Sequence, residues 1–206
     1  VLKQVMQDTR EMVKNNQATQ ARMQETNAEI LKMKAELEAV KASAEKDALT
    51  GLKNRGAFDK AIDNVVHSET NLSATLVLLD IDHFKRVNDN FGHLVGDRVI
   101  RYVSALLTQI VGSEHHIARY GGEEFAVILT GLDIDNAKQL TEKIRIAMSN
   151  SKLQRKESGE AIGEVTISAG IATVKATDSV ELLIDRADKA LYQAKEAGRN
   201  KVVIAA

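Results

Sequence analysis

Residues 73–81 read Ser-Ala-Thr-Leu-Val-Leu-Leu-Asp-Ile, and the reading of that stretch decides the fold. An unbroken apolar run of this length reads as a strand buried on both faces, because a half-exposed strand alternates apolar with polar residues. The run closes on Asp80-Ile81-Asp82, and a helix follows from about His83 and breaks near Gly92. Upstream, Leu49-Thr50-Gly51-Leu52 ends one helix, and Asn54 is placed to cap another over about 55–68. Downstream, Asp97 to Ile110 is strongly amphipathic. Ile117 to Tyr120, Gly121-Gly122 and Phe125 to Leu129 read as a hairpin with a Gly-Gly turn. Ile134–Met148 reads as a helix and Val165–Val174 as a strand. Val180–Ala197 is a helix ended by Gly198, and Val202–Ile204 is a short edge strand. Strands alternating with helices, one hairpin among them, predict an α/β fold (an α+β sandwich) with helices on a central mixed sheet. The chain carries no internal repeat and no low-complexity tract.

Residues 1–46 are different. They contain no glycine, proline or aromatic residue, and eight Lys/Arg stand against seven Asp/Glu. As one helix they run about 69 Å. A heptad seam passes through Leu2, Thr9, Asn16, Met23, Ile30, Leu37 and Ala44, with Val5, Met12, Thr19, Thr26, Met33 and Val40 as its second positions. A repeat of that length favours a coiled coil over a lone solvated helix. The seam is good from Ile30 to Val40 and poor at Thr9, Asn16, Thr19 and Thr26. A second seam through Met6, Val13 and Met23 competes with it near the start. Weak layers either set register and oligomer state or let the register shift, and both readings stay open. The expected organisation is 1–46 as a dimerising, signalling helix and 47–206 as a catalytic domain.

Composition excludes several classes. Lys plus Arg is 28 and Asp plus Glu 29, a net charge of -1 that disfavours a bulk grip on nucleic acid. The absence of cysteine rules out disulfides, thiolate metal sites and a cysteine nucleophile. Proline is absent where average usage gives about ten. No apolar run reaches the roughly 18 residues that a spanning helix needs. No leader is visible and the first residue is not Met, so the expectation is a soluble, cytoplasmic piece of something longer, with no direct membrane contact in this part.

The chemistry concentrates in two places. Asp80 and Asp82 put carboxylates at the end of a buried strand, where open sheets carry their sites. They are expected to face apart, leaving one for a given cleft. The helix that follows offers free N–H groups to an anion, and a hard divalent metal is the natural bridge between carboxylate and phosphate. Alternatively, Asp82 simply caps that helix. The second place is Gly121-Gly122-Glu123-Glu124-Phe125, where two acids on a tight turn repel each other unless a cation relieves them. Together with Asp80 they form the carboxylate set of a metal-dependent phosphoryl-transfer site. Lys85, Asn88, Asp97, Lys195 and Arg199 are the polar candidates around it. His67, His115 and His116 read as surface or turn residues, and the adjacent pair points apart.

Gly121–Phe125 is similar to the signature of the GGDEF-domain diguanylate cyclases. The resemblance extends through Asp47-Ala-Leu-Thr-Gly-Leu-Lys-Asn-Arg55, Asp80-Ile-Asp-His-Phe-Lys-Arg-Val-Asn-Asp89 and Phe91-Gly-His-Leu-Val-Gly-Asp97. It continues through Ile167–Ala172 and Ala187–Asn200, and so covers 47–206 in order. The resemblance implies a fold related to nucleotidyl cyclases and polymerase palms, and condensation of two GTP into cyclic di-GMP with release of two pyrophosphates. It implies Mg²⁺ (or Mn²⁺) on Asp80, Glu123 and the Ile81 carbonyl, with Glu124 beside the metal and one of the two glutamates taking the 3′-hydroxyl proton. It implies phosphate binding by the His83 and Phe84 N–H groups, Lys85, Lys195 and Arg199. Guanine would be read by Asn88 and Asp97, with His93 close by. A carboxylate facing guanine is left unpaired by adenine, which discriminates strongly.

Two departures matter. Glu123 stands where the signature's name has Asp, and both are hard oxygen ligands. The Arg-x-x-Asp of the family's product-inhibition site is replaced by Gly112-Ser-Glu-His115, so no such site is expected. A catalytically silent domain that only binds nucleotide or dimerises, and a cyclase making another product, are the competing readings. Intact carboxylates weigh against the first, and Asp97 against the second. The expected partners are GTP, a second copy through the coiled coil and an upstream sensor, with no nucleic acid.

Overall fold

With no proline or glycine to interrupt it, the first helix, α1 (Leu2–Ala44), is continuous in a computed structural model that describes residues 2–68, 73–154 and 161–206. Its heptad residues Met12, Met23, Ile30, Met33, Leu37 and Val40 are all more than half exposed. The side chains of Leu2, Val5 and Val13 lie outside the described residues. The chain divides into two compact units, Val1–Ala44 and Glu45–Ala206.

The second unit runs α2 (Arg55–Val66), β1 (Ala74–Ile81), α3 (Phe84–Phe91), α4 (His93–Val111), β2 (His116–Arg119) and β3 (Glu124–Thr130). It continues with α5 (Ile134–Ser149), β4 (Leu153–Gln154), β5 (Ala161–Gly163), β6 (Ile167–Thr173), α6 (Val180–Glu196) and β7 (Val202–Ile204). Five strands form one sheet in the order β2-β3-β1-β6-β7, and β4 pairs with β5 apart from it. β1 is antiparallel to both of its neighbours, and β7 joins β6 in parallel through the α6 crossover. This is the expected mixed sheet between helical layers.

Every residue of β1 is buried, as the apolar run requires. Because strand side chains alternate, β1 serves two cores. Val77, Leu79 and Ile81 pack with Phe84, Val87, Val99, Ile144 and Met148 on the α3–α4–α5 side. Leu76 and Leu78 pack with Phe58, Ile62, Leu183, Ala187 and Leu191 on the α2–α6 side. α6 lies so close to β6 that a Cβ on Gly170 would stand 2.1 Å from the Ala187 carbonyl oxygen. Only glycine fits there. Asn54 caps α2 as expected, its Oδ1 accepting from the Ala57 N–H at 3.0 Å.

Three expectations need correction. α4 starts at His93 rather than Asp97. Gly92 takes φ 82° and its carbonyl accepts from the N–H groups of Val95 and Gly96, so the helical turn forms at once after the break. Glu124 belongs to β3 rather than to the turn, because it pairs across to Asp80. The β4–β5 pair was not anticipated: two and three residues are too short for a periodic signal.

Candidate active site

The core-forming stripe of α6 also supplies the site. Four helical residues advance about 6 Å and two strand residues about 6.8 Å. Leu183, Ala187 and Leu191 therefore keep step with Leu76 and Leu78, and the next position on the helix, Lys195, meets the next on the strand, Asp80. The Lys195 ammonium lies 2.9 Å from Asp80 Oδ2. Across the ladder Glu124 is the direct partner of Asp80, on the same face as Ala126 and Ile128. Glu123 is joined to the strand end by its carbonyl, which accepts from the Ile81 N–H at 3.3 Å. The fold thus brings Asp80, Ile81, Glu123, Glu124 and Lys195 together.

These acids repel. Burial raises the pKa of Asp80, and the nearby Glu124 and Asp82 raise it further, while Lys195 pulls it back. Burial likewise raises the pKa of Glu123, reinforced by Asp80 and Glu124 and opposed by Lys195. Among the described residues no group of three His or acidic side chains converges as a ready-made metal cage. Magnesium takes one or two carboxylates and fills its octahedron with water and substrate phosphate oxygens. The residues present fit such an ion, because like charges crowded at a half-buried edge are what a divalent cation relieves.

Asp82 departs from both readings made of it. A strand's period of two puts Asp80 and Asp82 on one face rather than two, and β1 has already ended at Ile81. Nor does Asp82 cap α3, whose N-terminus receives no side-chain cap. Its carboxylate accepts from Thr166 Oγ1 and Ser168 Oγ, both at 2.7 Å, and from the Asn200 N–H at 3.0 Å.

The remaining candidates lie on or just before α3, on α4 and in the turn after α6. His83 precedes α3 in a left-handed conformation (φ 55°), Phe84 is buried, and Lys85 is exposed in the first turn. Asn88 on α3 packs against Gly96 on α4, where a Cβ would stand 2.0 Å from Asn88 Oδ1, and Asp97 is the next residue of α4. His93 opens α4 and is exposed. Arg199 is half-buried just past α6. Gly112 caps α4, and His115 accepts from the Thr130 N–H at 3.4 Å, so neither position holds the Arg or Asp of an inhibitory pair.

Sequence reading missed what steadies the signature turn. Arg119 donates to both Asp47 oxygens at 3.2 Å and to the Gly122 carbonyl, at 2.7 Å from Nη2. Burial disfavours the Asp47 anion, but the Thr50 hydroxyl and N–H and the Arg119 guanidinium outweigh it and hold its pKa below the usual range. Next to Arg119, Tyr120 takes the Arg55 guanidinium over its ring at 4.6 Å and packs T-shaped with the Phe58 ring, 5.2 Å between centroids. The two residues before the glycines are thus both held from the 47–58 segment. The only signal in the sequence was their adjacency to the turn.

Residues 44–201 match the family described as "Diguanylate cyclase, GGDEF domain". Diguanylate cyclase VdcA of Vibrio cholerae is 36% identical over 203 residues, 98% of this chain and 59% of that protein. Response regulator PleD of Caulobacter vibrioides is 41% identical over 160 residues, 76% of this chain and 35% of PleD. The chain thus spans less than two thirds of these relatives. Among solved structures, the coiled coil and GGDEF domain of DgcB from Caulobacter crescentus, in complex with c-di-GMP, superposes with a TM-score of 0.83. It is 38% identical and covers 90% of this chain and 98% of that one.

Proposed function

The chain belongs to the diguanylate cyclase GGDEF-domain family, and from that premise we propose that it condenses two GTP into cyclic di-GMP and two pyrophosphates. The observation that carries the reading is Asp80 on β1 facing Glu124 on β3 with Lys195 at 2.9 Å. Two carboxylates and an ammonium gathered at one strand end support that reading.

Asp80, Glu123 and the Ile81 carbonyl would hold Mg²⁺ (or Mn²⁺), with Glu124 beside it, and the ion would supply charge neutralisation to the phosphates. The His83 and Phe84 N–H groups, Lys85, Lys195 and Arg199 hold the β- and γ-phosphates. Asn88 and Asp97 read the guanine edge, with His93 beside them. One 3′-oxygen forms a bond to the α-phosphorus of the other GTP, and the bond from that phosphorus to the bridging oxygen breaks. The hydroxyl proton passes to Glu123 or Glu124. Two such steps close the ring, and each requires a second domain. α1 supplies the second copy through its heptad seam, which raises the domains' effective concentration. An upstream sensor acts through the same helix. No nucleic acid takes part, this part of the chain makes no direct membrane contact, and the catalytic domain works in the cytoplasm whether or not the full-length protein is tethered to a membrane.

Pyrophosphate release is measured with GTP or ATP, with and without Mg²⁺. Release with GTP and Mg²⁺ alone is expected, and equal use of ATP overturns the guanine reading. Sedimentation tests the dimer: the full chain should run as two copies, and residues 45–206 as one.

A further inference from the structure

The carboxylate of Asp82, 4% exposed, is saturated by donors from two separate segments: Thr166 and Ser168 at the start of β6, and the Asn200 N–H after α6. Its own N–H donates to the Thr166 carbonyl at 2.9 Å. A carboxylate so engaged has little left to offer a metal. What it grips is unusual backbone. Gly198, Arg199 and Asn200 have φ of 104°, 61° and 47°, three left-handed residues in succession. Only the first is glycine, and arginine is poorly suited to that region. Such backbone persists where its surroundings over-determine it. Here the Arg199 N–H is fixed on the Ala194 carbonyl at 3.1 Å and the Asn200 N–H on Asp82. The Asn200 side chain accepts from Arg145 Nη1 of α5 at 2.8 Å, and Arg145 Nε is held by Glu142 at 2.7 Å.

We propose that Asp82 is a positioning residue, which clamps the Gly198–Asn200 turn so that Arg199 and Lys195 stay in register with Asp80, and that Arg145 is the outer brace of that clamp. The inference rests on the phosphate-binding reading of Arg199 and Lys195. Asp82 is two residues beyond Asp80, and Asn200 directly follows Arg199. The clamp therefore ties one rim of the phosphate site to the other without touching substrate.

The test uses the full chain with Asp82→Asn, Arg145→Met and Arg145→Lys, each also in an Arg199→Ala background. Losing a hydrogen bond to a charged group should raise the GTP KM about tenfold while kcat changes about twofold or less. GMP, which lacks the outer phosphates, should bind as in the parent. Arg145→Lys, which keeps one donor, should recover part of the loss. In the Arg199→Ala background Arg145→Met should cost nothing further, because the two residues act as a unit. An Arg145→Met penalty that is undiminished by Arg199→Ala, or equal for GMP and GTP, overturns the proposal. Hydrogen exchange at the Asn200 amide reads the clamp without nucleotide. It should be protected in the parent and fast in Asp82→Asn, and equal exchange in both overturns the proposal. A parent that makes no cyclic product but shows this protection contradicts the diguanylate cyclase reading and leaves the clamp standing.

Discussion

Lys195 Nζ and Asp80 Oδ2 lie 2.9 Å apart, so the last turn of α6 and the end of β1 form one ion-paired unit. Asp80 and Glu123 nevertheless have raised pKa values, because burial and mutual repulsion outweigh the ammonium. For carboxylates shifted in this direction, the fold binds the proton more tightly than the unfolded chain. Their contribution to stability is present below the ordinary carboxylate range and is lost as pH rises through the raised pKa. Metal-free protein should thus lose stability between acidic and neutral pH. Glu123→Gln should lose less, keep its circular dichroism and have no turnover. Thermal unfolding against pH in chelator checks the first point. A parent Tm in chelator that does not fall from acidic to neutral pH, or a Glu123→Gln Tm at neutral pH clearly below the parent's, would contradict the account.

The same shifts set the acid limb of activity. Turnover should fall at a pH above that of an ordinary carboxylate, since the metal binding proposed for Asp80 and Glu123 needs both acids ionised. Lys195→Met removes the group that favours the Asp80 anion and should move the limb further up. A profile of kcat/KM against pH at limiting Mg²⁺, which reports the unliganded groups, measures this. An unmoved limb would show that Asp80 does not govern it.

Arg119 binds both Asp47 and the Gly122 carbonyl, with only 17% of its side chain exposed. Arg119→Met leaves Asp47 without its cation and frees the turn that carries Glu123. A loss of about 1–3 kcal/mol in stability is expected from the stranded acceptors. Turnover should fall about a hundredfold, the cost of misplacing a reacting group by about 1 Å. GTP affinity should change little. Calorimetry and steady-state kinetics check both, and unchanged kcat would show that Arg119 is purely structural.

At the residues proposed to read the base, Gly96→Ala places a methyl group 2.0 Å from Asn88 Oδ1 and must displace that amide. GTP KM should rise without any effect on Mg²⁺ dependence. Asp97→Ser should lower GTP use and make ATP use detectable. Unchanged GTP kinetics in both variants would remove Asn88 and Asp97 from the base site.

Feedback should be weak. Gly112 and His115 supply neither the arginine nor the carboxylate of the family's inhibitory pair, so added cyclic di-GMP should compete with GTP at the active site only. Inhibition kinetics showing a strong noncompetitive component would reveal a product site elsewhere.

What was legible in the sequence was local. The β1 run, the Asn54 cap and the Gly-Gly turn each carry their cause within a few residues. Asp80 could be placed because a buried strand that ends in carboxylate is anomalous on its own. What was missed is non-local or too brief. Arg119 is 72 residues from Asp47, and Asp82 is 118 from Asn200. Nothing in either segment announces the other. The early start of α4 turns on one φ value at Gly92, whereas the shared face of Asp80 and Asp82 follows from strand alternation and was legible in the sequence.

The central claim is that this site joins two GTP molecules into a ring. The most direct measurement is the identity and stoichiometry of the products formed by the full chain from GTP and Mg²⁺. The account predicts cyclic di-GMP and pyrophosphate in a ratio of one to two, with Glu123→Gln forming neither. Pyrophosphate released without any cyclic dinucleotide, or equal product from Glu123→Gln, would contradict it.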